Sequence, residues 1–239
     1  MVNKRSPRKI FNQRGAVRMI YITGDCHADF TRFNTKIFPE QYEMTKDDYV
    51  IICGDFGGVW NRFEENKHEK HWMDWLEDRP FTTLFCEGNH ENFDLLNTLP
   101  EKEWNGGRVH VVREHVLHLM RGQVFDFGGL AWFTMGGAAS HDIQDGILDP
   151  AAPDFERQYW LMRRMRSMFR VKGVSWWEEE IPSLEEYQEA LANLERVNWT
   201  VDCVLTHCAP SGVVQKINPS YGTDELTDFL EMVSQRCKF

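Results

Sequence analysis

The chain has 239 residues, 42% of them apolar and 27% charged, with a formal net charge of −10. A chain of this size buries enough apolar surface to fold without a structural metal, and its ordinary composition excludes collagen-like, disordered and disulfide-scaffold classes. The negative charge argues against non-specific binding to nucleic acid or anionic membrane, and no apolar run approaches the ~18 residues of a membrane span. Six cysteines occur, at 26, 53, 86, 203, 208 and 237, with no CxxC pair among them. With no apolar leader at the N-terminus, they read as reduced thiols in a cytoplasmic protein.

Residues 1–18 carry Lys4, Arg5, Arg8, Lys9, Arg14 and Arg18 and no acid. They are expected to form a basic, disordered extension ahead of a single domain over residues 19–239. From Met19 onward the pattern alternates. Residues 19–23 (MIYIT), 49–53 (YVIIC) and 82–86 (TTLFC) read as buried strands, and residues 64–78 as a helix with Trp72, Trp75 and Leu76 on one face. A short helix over 92–99 is closed by Pro100. Four short strands follow, at 108–112, 116–120, 123–127 and 130–135, with hairpin turns expected at Arg121-Gly122 and Gly128-Gly129. Residues 155–169 and 183–197 read as helices, the second opened by a capping box of Ser183 and Glu186. A late strand over 201–206 (VDCVLT) precedes a final helix over 223–236, with Thr223 as its expected N-cap. The order is that of an α/β layered fold.

Three segments share one form: an apolar strand, then glycine, then side chains able to hold a metal. They are Gly24-Asp25-Cys26-His27, Gly54-Asp55-Phe56-Gly57-Gly58 and Gly88-Asn89-His90-Glu91, and the late strand delivers His207 in the same way. In an α/β sheet, ligands bind beyond the carboxyl ends of strands, where glycine permits a sharp turn and a close approach. Asp25, His27, Asp55, Asn89, His90 and His207 are therefore expected in one crevice. Aspartate, histidine and asparagine together suit a divalent Mn, Fe or Zn ion. The glycines form neither GxGxxG nor a Walker A, so a dinucleotide or P-loop reading fails. The Gly-rich loop that ends in His141-Asp142 also follows a strand and brings His141 and Asp142 forward to face the metals or the substrate, His141 as a substrate contact or as a further metal ligand. His68 and His71, on a helix, and Arg163, Arg164 and Arg166 read as solvated faces.

GDCH, GDFGG, GNHE and THCAP, in that order, resemble the first four motifs of the calcineurin-like metallophosphoesterases. The resemblance implies a four-layer α/β/β/α sandwich, two mixed sheets flanked by helices. It implies a dinuclear centre in which Asp25 and His27 hold one divalent metal, Asp55 bridges, and Asn89 and His207 hold the second. His90 is then the uncoordinated acid that protonates the leaving group, and Asn89 also contacts phosphate. The implied activity is hydrolysis of a phosphomonoester or phosphodiester by a metal-activated hydroxide. The substrate is a small phosphoester or nucleotide, with no membrane partner and no stable nucleic-acid binding. GDFGG lacks the Asp-Arg-Gly of the protein phosphatase branch, which turns the reading away from phosphoproteins. The family's last motif, Gly-His-x-His, is absent: no histidine follows His207. The domain is therefore expected to be truncated at its C-terminus and its activity impaired. Two competing readings are a non-catalytic phosphate- or nucleotide-binding relative and an interaction scaffold using Trp176-Trp177.

Overall fold

The computed structural model describes residues 10–11, 17–61 and 66–238. Most of the basic extension, residues 1–9 and 12–16, lies outside the described residues. Within it, β1 (Ile10–Phe11) pairs antiparallel with β2 (Val17–Arg18). The chain then runs through β3 (Ile20–Gly24), β4 (Tyr49–Cys53), α1 (Lys67–Glu77), β5 (Thr82–Cys86), α2 (Phe93–Leu96), β6 (Glu101–Trp104), β7 (Gly107–Arg113) and β8 (Val116–Leu119). It continues through β9 (Val124–Asp126), β10 (Ala131–Met135), β11 (Gly146–Leu148), α3 (Phe155–Met165), β12 (Phe169–Val171), α4 (Leu184–Arg196), β13 (Cys203–Thr206), α5 (Ser211–Ile217) and α6 (Glu225–Arg236).

Two mixed sheets organise these elements. The larger has the order β3-β4-β5-β8-β7-β6; its first four strands are parallel, and β7 and β6 complete it antiparallel. The smaller has the order β13-β10-β9, with β13 parallel to β10 and β9 antiparallel. Alternate residues of a strand face opposite sides, so each strand feeds two cores. On β4, Val50 and Ile52 join Phe85, Met73 and Leu76 beneath α1. Tyr49 and Ile51 face the other way and meet Phe125, Phe127, Trp132 and Leu205 of the smaller sheet. On β10, Phe133 and Met135 turn outward to Ala190 and Leu194 of α4 and Leu226, Leu230 and Val233 of α6. Three apolar cores between helix, sheet, sheet and helix make the four-layer α/β/β/α sandwich that the motif order implies.

The helices begin where local chemistry satisfies their free N–H groups. Asn66 caps α1 with Glu69 returning to it, and Ser183 and Glu186 form the expected box on α4. The last helix starts one residue later than the sequence suggests. Its N-cap is Asp224, which accepts from Thr227 N at 2.8 Å. Arg121-Gly122 is not a hairpin turn: β8 and β9 belong to different sheets, so this turn carries the chain from one sheet to the other. Gly128-Gly129 does close the β9–β10 hairpin. Six of these elements have no counterpart in the sequence expectations: β1 and β2 lie in the extension expected to be disordered, β6 (EKEW) is almost wholly polar, β11 and β12 are three residues each, and α5 follows a proline with no stripe of its own.

A buried polar cluster ties the cores together behind the site. Glu87, the first residue after β5, pairs with Arg121 and with His118 Nε2 at 2.7 Å, and His118 Nδ1 meets His110 Nδ1 at 3.0 Å. Burial alone would raise the Glu87 carboxyl; the Arg121 and His118 charges overcome it and hold the group at about 2. Burial, and then the neighbouring His118, lower the His110 imidazole from 6.5 to about 4. An unfolded chain takes up that proton as pH falls through 6.5, whereas the native chain resists until near 4. Stability should therefore decline across this window, by about 2–3 kcal/mol from His110 at about 1.4 kcal/mol per pH unit. Urea denaturation between pH 7 and 4 measures it, and His110→Phe should flatten the slope; equal slopes in the two proteins would contradict the assignment.

Candidate metal centre

The turn after β4 organises the site. Gly54 and Asp55 both take left-handed backbone conformations, with φ of +87° and +48°. This reversal aims the Asp55 carbonyl at the loop after β3, where it accepts from Cys26 N at 3.0 Å and His27 N at 2.8 Å. His27 is itself left-handed at +45°, a strain that those bonds hold in place. The Asp55 side chain is buried, and its Oδ1 accepts from His90 N at 2.9 Å in the loop after β5. Three loops are thus joined through one residue. Phe56, directly after it, stacks on Phe85 with centroids 3.9 Å apart and planes 8° apart, locking the turn to the core.

His207 arrives from β13, in the smaller sheet. Its Nδ1 lies 2.9 Å from the Cys53 carbonyl, which can only accept, so Nδ1 carries the hydrogen and Nε2 keeps its lone pair for a metal. Nε2 stands 3.5 Å from Asp55 Oδ1, while His27 Nε2 stands 3.5 Å from Asp55 Oδ2 and 3.9 Å from Asp25 Oδ2. Asp55 therefore presents one oxygen to each imidazole. Ligand atoms of Asp25, Asp55 and His207 all lie within 4.8 Å of one another. This donor set, two carboxylates and an imidazole with a free nitrogen, fits a divalent cation.

Asn89 and His90 line the same crevice, a space of about 380 Å³. The Asn89 amide donates one Nδ2 hydrogen to Ser140 Oγ at 3.0 Å, which orients the group. His90 has a partner that no sequence signal marked. Arg170 Nη2 lies 2.9 Å from His90 Nε2. A guanidinium only donates, so Nε2 accepts and the neutral ring carries its hydrogen on Nδ1. Burial, followed by the Arg170 charge, lowers the His90 imidazole below its usual range. Arg170 is itself buried and held by Asp142 Oδ1 at 2.6 Å and the Ser175 carbonyl at 3.0 Å. In the sequence it stands just after a run of arginines that reads as a solvated face, which hid it. Glu91, the last residue of GNHE, is buried and accepts from Phe56 N at 2.7 Å and Gly57 N at 3.1 Å; burial outweighs these bonds and pushes its carboxyl up to about 8. His141 lines the crevice at its outer side.

The calcineurin-like phosphoesterase profile matches residues 19–233. The chain belongs to that family. Among curated relatives of the chain, lariat debranching enzyme A of Xenopus laevis is 25% identical over 192 residues, covering 75% of this chain and 33% of that protein. The lariat debranching enzymes of Caenorhabditis briggsae and Danio rerio are 23% and 21% identical, each over 81% of this chain and over 36% and 31% of their own lengths. The chain thus spans about a third of the length of these relatives. No solved structure matches it at a significant level.

Two glycines make the convergence of the candidate ligands possible. A Cβ on Gly54 would sit 2.1 Å from His207 Nδ1, and one on Gly88 would sit 2.1 Å from Asp55 Oδ1. Gly129, with φ of +89°, has nothing within 4 Å of such an atom. Gly54→Ala should therefore lose about 2–4 kcal/mol from strain and overpacking and weaken Mn²⁺ binding, while Gly129→Ala should lose about 1 kcal/mol with Mn²⁺ binding intact. Thermal melting and isothermal titration with Mn²⁺ read the two effects separately; equal Mn²⁺ affinity in both variants would contradict the packing argument.

Proposed function

We propose that this protein is a metal-dependent phosphoesterase that hydrolyses a phosphodiester or phosphomonoester in the crevice at the ends of β3, β4, β5 and β13. The observation that carries the reading is the convergence of Asp25, Asp55 and His207 within 4.8 Å, beside an imidazole that is held off the ligand cluster by an arginine. The family match supports phosphoester chemistry, and the likeness to lariat debranching enzymes favours the diester.

In this reading Asp25, His27 and Asp55 hold one divalent ion, and Asp55, Asn89 and His207 hold a second. The ions, Mn, Fe or Zn, supply Lewis acidity that polarises the phosphoryl oxygens and lowers the pKa of water. The rest of the chemistry is the protein's own. The Cys53 carbonyl keeps the His207 hydrogen on Nδ1, so the nitrogen that faces Asp55 stays free. Asp55 can bridge because its two oxygens face opposite imidazoles. His90 is the acid for the departing oxygen: it gives that proton from its protonated form, reached when Nε2 takes up a proton and Arg170, seated at 2.9 Å against the neutral ring, moves aside. Ser140 orients the Asn89 amide so that Oδ1 is left for ligation. The six cysteines are all free thiols, which supports a cytoplasmic setting. Among the described residues no helix is long and apolar enough to cross a membrane.

With excess Mn²⁺, the protein should hydrolyse bis(p-nitrophenyl) phosphate, and EDTA should stop it. Asp55→Asn should lower both turnover and bound metal, turnover by at least about 10²-fold. His90→Ala should keep its metal and lose about 10²–10⁴-fold with an alkyl leaving group, but much less with a nitrophenyl one. Mn²⁺-loaded protein with no turnover on mono- or diesters would refute the reading, and an equal loss for both leaving groups would refute the role of His90.

A further inference from the structure

Beside the crevice lies a second cavity of about 210 Å³. The two adjoin, because Ala138, Ala139, His141 and Cys208 line both. Away from the crevice the walls become apolar: Ala209 from the loop after β13, and Val214 and Ile217 from α5. At the mouth, the His141 and Tyr221 rings face each other with planes 16° apart and centroids 6.2 Å apart. Asp224, the N-cap of α6, adds a carboxylate acceptor at the wall. A bond from Gly212 N to Glu231 Oε2 at 2.9 Å fixes α5 against α6 and so keeps the cavity open.

These features select the occupant by shape and polarity. A complete ligand site is usually some 300–1,000 Å³, so this cavity takes one part of a molecule whose remainder reaches the crevice. A sugar or a second phosphate would leave its hydroxyls or charge against alanine, valine and isoleucine without partners. A flat aromatic ring instead buries its faces against the apolar walls and the two rings at the mouth. Its edge N–H groups can meet Asp224.

We propose that this cavity is a nucleobase subsite, making the substrate a nucleoside phosphoester whose base lies on His141, Tyr221, Val214 and Ile217 while its phosphate lies at the ligand cluster. The phosphate half of this statement rests on the phosphoesterase reading; the base half rests on the cavity alone. His141, which the sequence leaves between the metals and the substrate, thereby gains a defined partner on the substrate. Tyr221 and Val214 become specificity residues that no motif contains.

Equilibrium dialysis of the full chain with excess Mn²⁺ tests it, using adenosine, uridine and ribose as probes. At least one nucleoside should bind about tenfold more tightly than ribose, the scale of one base–aromatic stack. Val214→Trp, which fills the cavity, should remove that preference, and Tyr221→Ala should reduce it; melting curves verify that both variants are folded. Nucleosides that bind no better than ribose overturn the proposal whatever the variants do, and so does a preference that survives both substitutions. Bis(p-nitrophenyl) phosphate hydrolysis run in parallel separates the two readings. Selective nucleoside binding without hydrolysis sinks the catalytic assignment and leaves the base subsite standing. Hydrolysis without nucleoside preference does the reverse.

Discussion

The site depends on the backbone reversal at Gly54-Asp55. Ordinary strand geometry would send the chain onward from β4 and leave Asp55 in solvent. The left-handed pair turns the Asp55 carbonyl toward one neighbouring loop and its carboxylate toward the other, so the loops after β3 and β5 are both bonded to it. The same turn leaves the Cys53 carbonyl free to meet His207 from the second sheet. Glycine takes this conformation freely, but at Asp55 the strain costs on the order of 1–3 kcal/mol and persists only where the surroundings enforce it. Here they do: Phe56 stacks on Phe85 directly behind the turn, and Glu91 accepts the next two amides.

Charge is managed in two zones. Behind the site, the Glu87 carboxylate is compensated by Arg121 and His118, which anchors the residue immediately ahead of Gly88 and Asn89. A buried pair of this kind adds little net stability over an apolar substitute, but breaking it leaves an uncompensated charge, so it enforces one position for the loop. At the front, the carboxylates of Asp25 and Asp55 face the two imidazoles, with the crevice between them. Arg170 stands beyond His90 and is neutralised by Asp142. The positive charge is thus kept beside the crevice without occupying the ligand cluster.

Much of this architecture could be read before any coordinates. The three strand–glycine–ligand segments place three loops at one edge, because parallel strands in one sheet end on the same side, and His207 joins them from β13 of the smaller sheet. The apolar runs YVIIC and TTLFC gave strands with the same ends that the structure shows. What stayed hidden has a common cause. Arg170 acts through a contact 80 residues away in sequence, and nothing local separates it from the arginines of α3. Thr223 and Asp224 are both good caps, and only the position of the first helical turn chooses between them. The turn at Arg121-Gly122 has hairpin composition, yet it joins two sheets, because register is a tertiary property.

His207 alone comes from the smaller sheet; Asp25, Asp55 and Asn89 all follow strands of the larger one. Among the described residues a single hydrogen bond, to the Cys53 carbonyl, ties that imidazole to the end of β4. Its distance from Asp55 is otherwise dictated by the thickness of the apolar layer between the sheets, where Leu205 packs with Ile51, Phe127 and Trp132. The crevice therefore works as a caliper on that layer. Largely apolar side chains set the span between two candidate ligands, and a methylene added to or removed from the layer would register at the site as a change in their spacing.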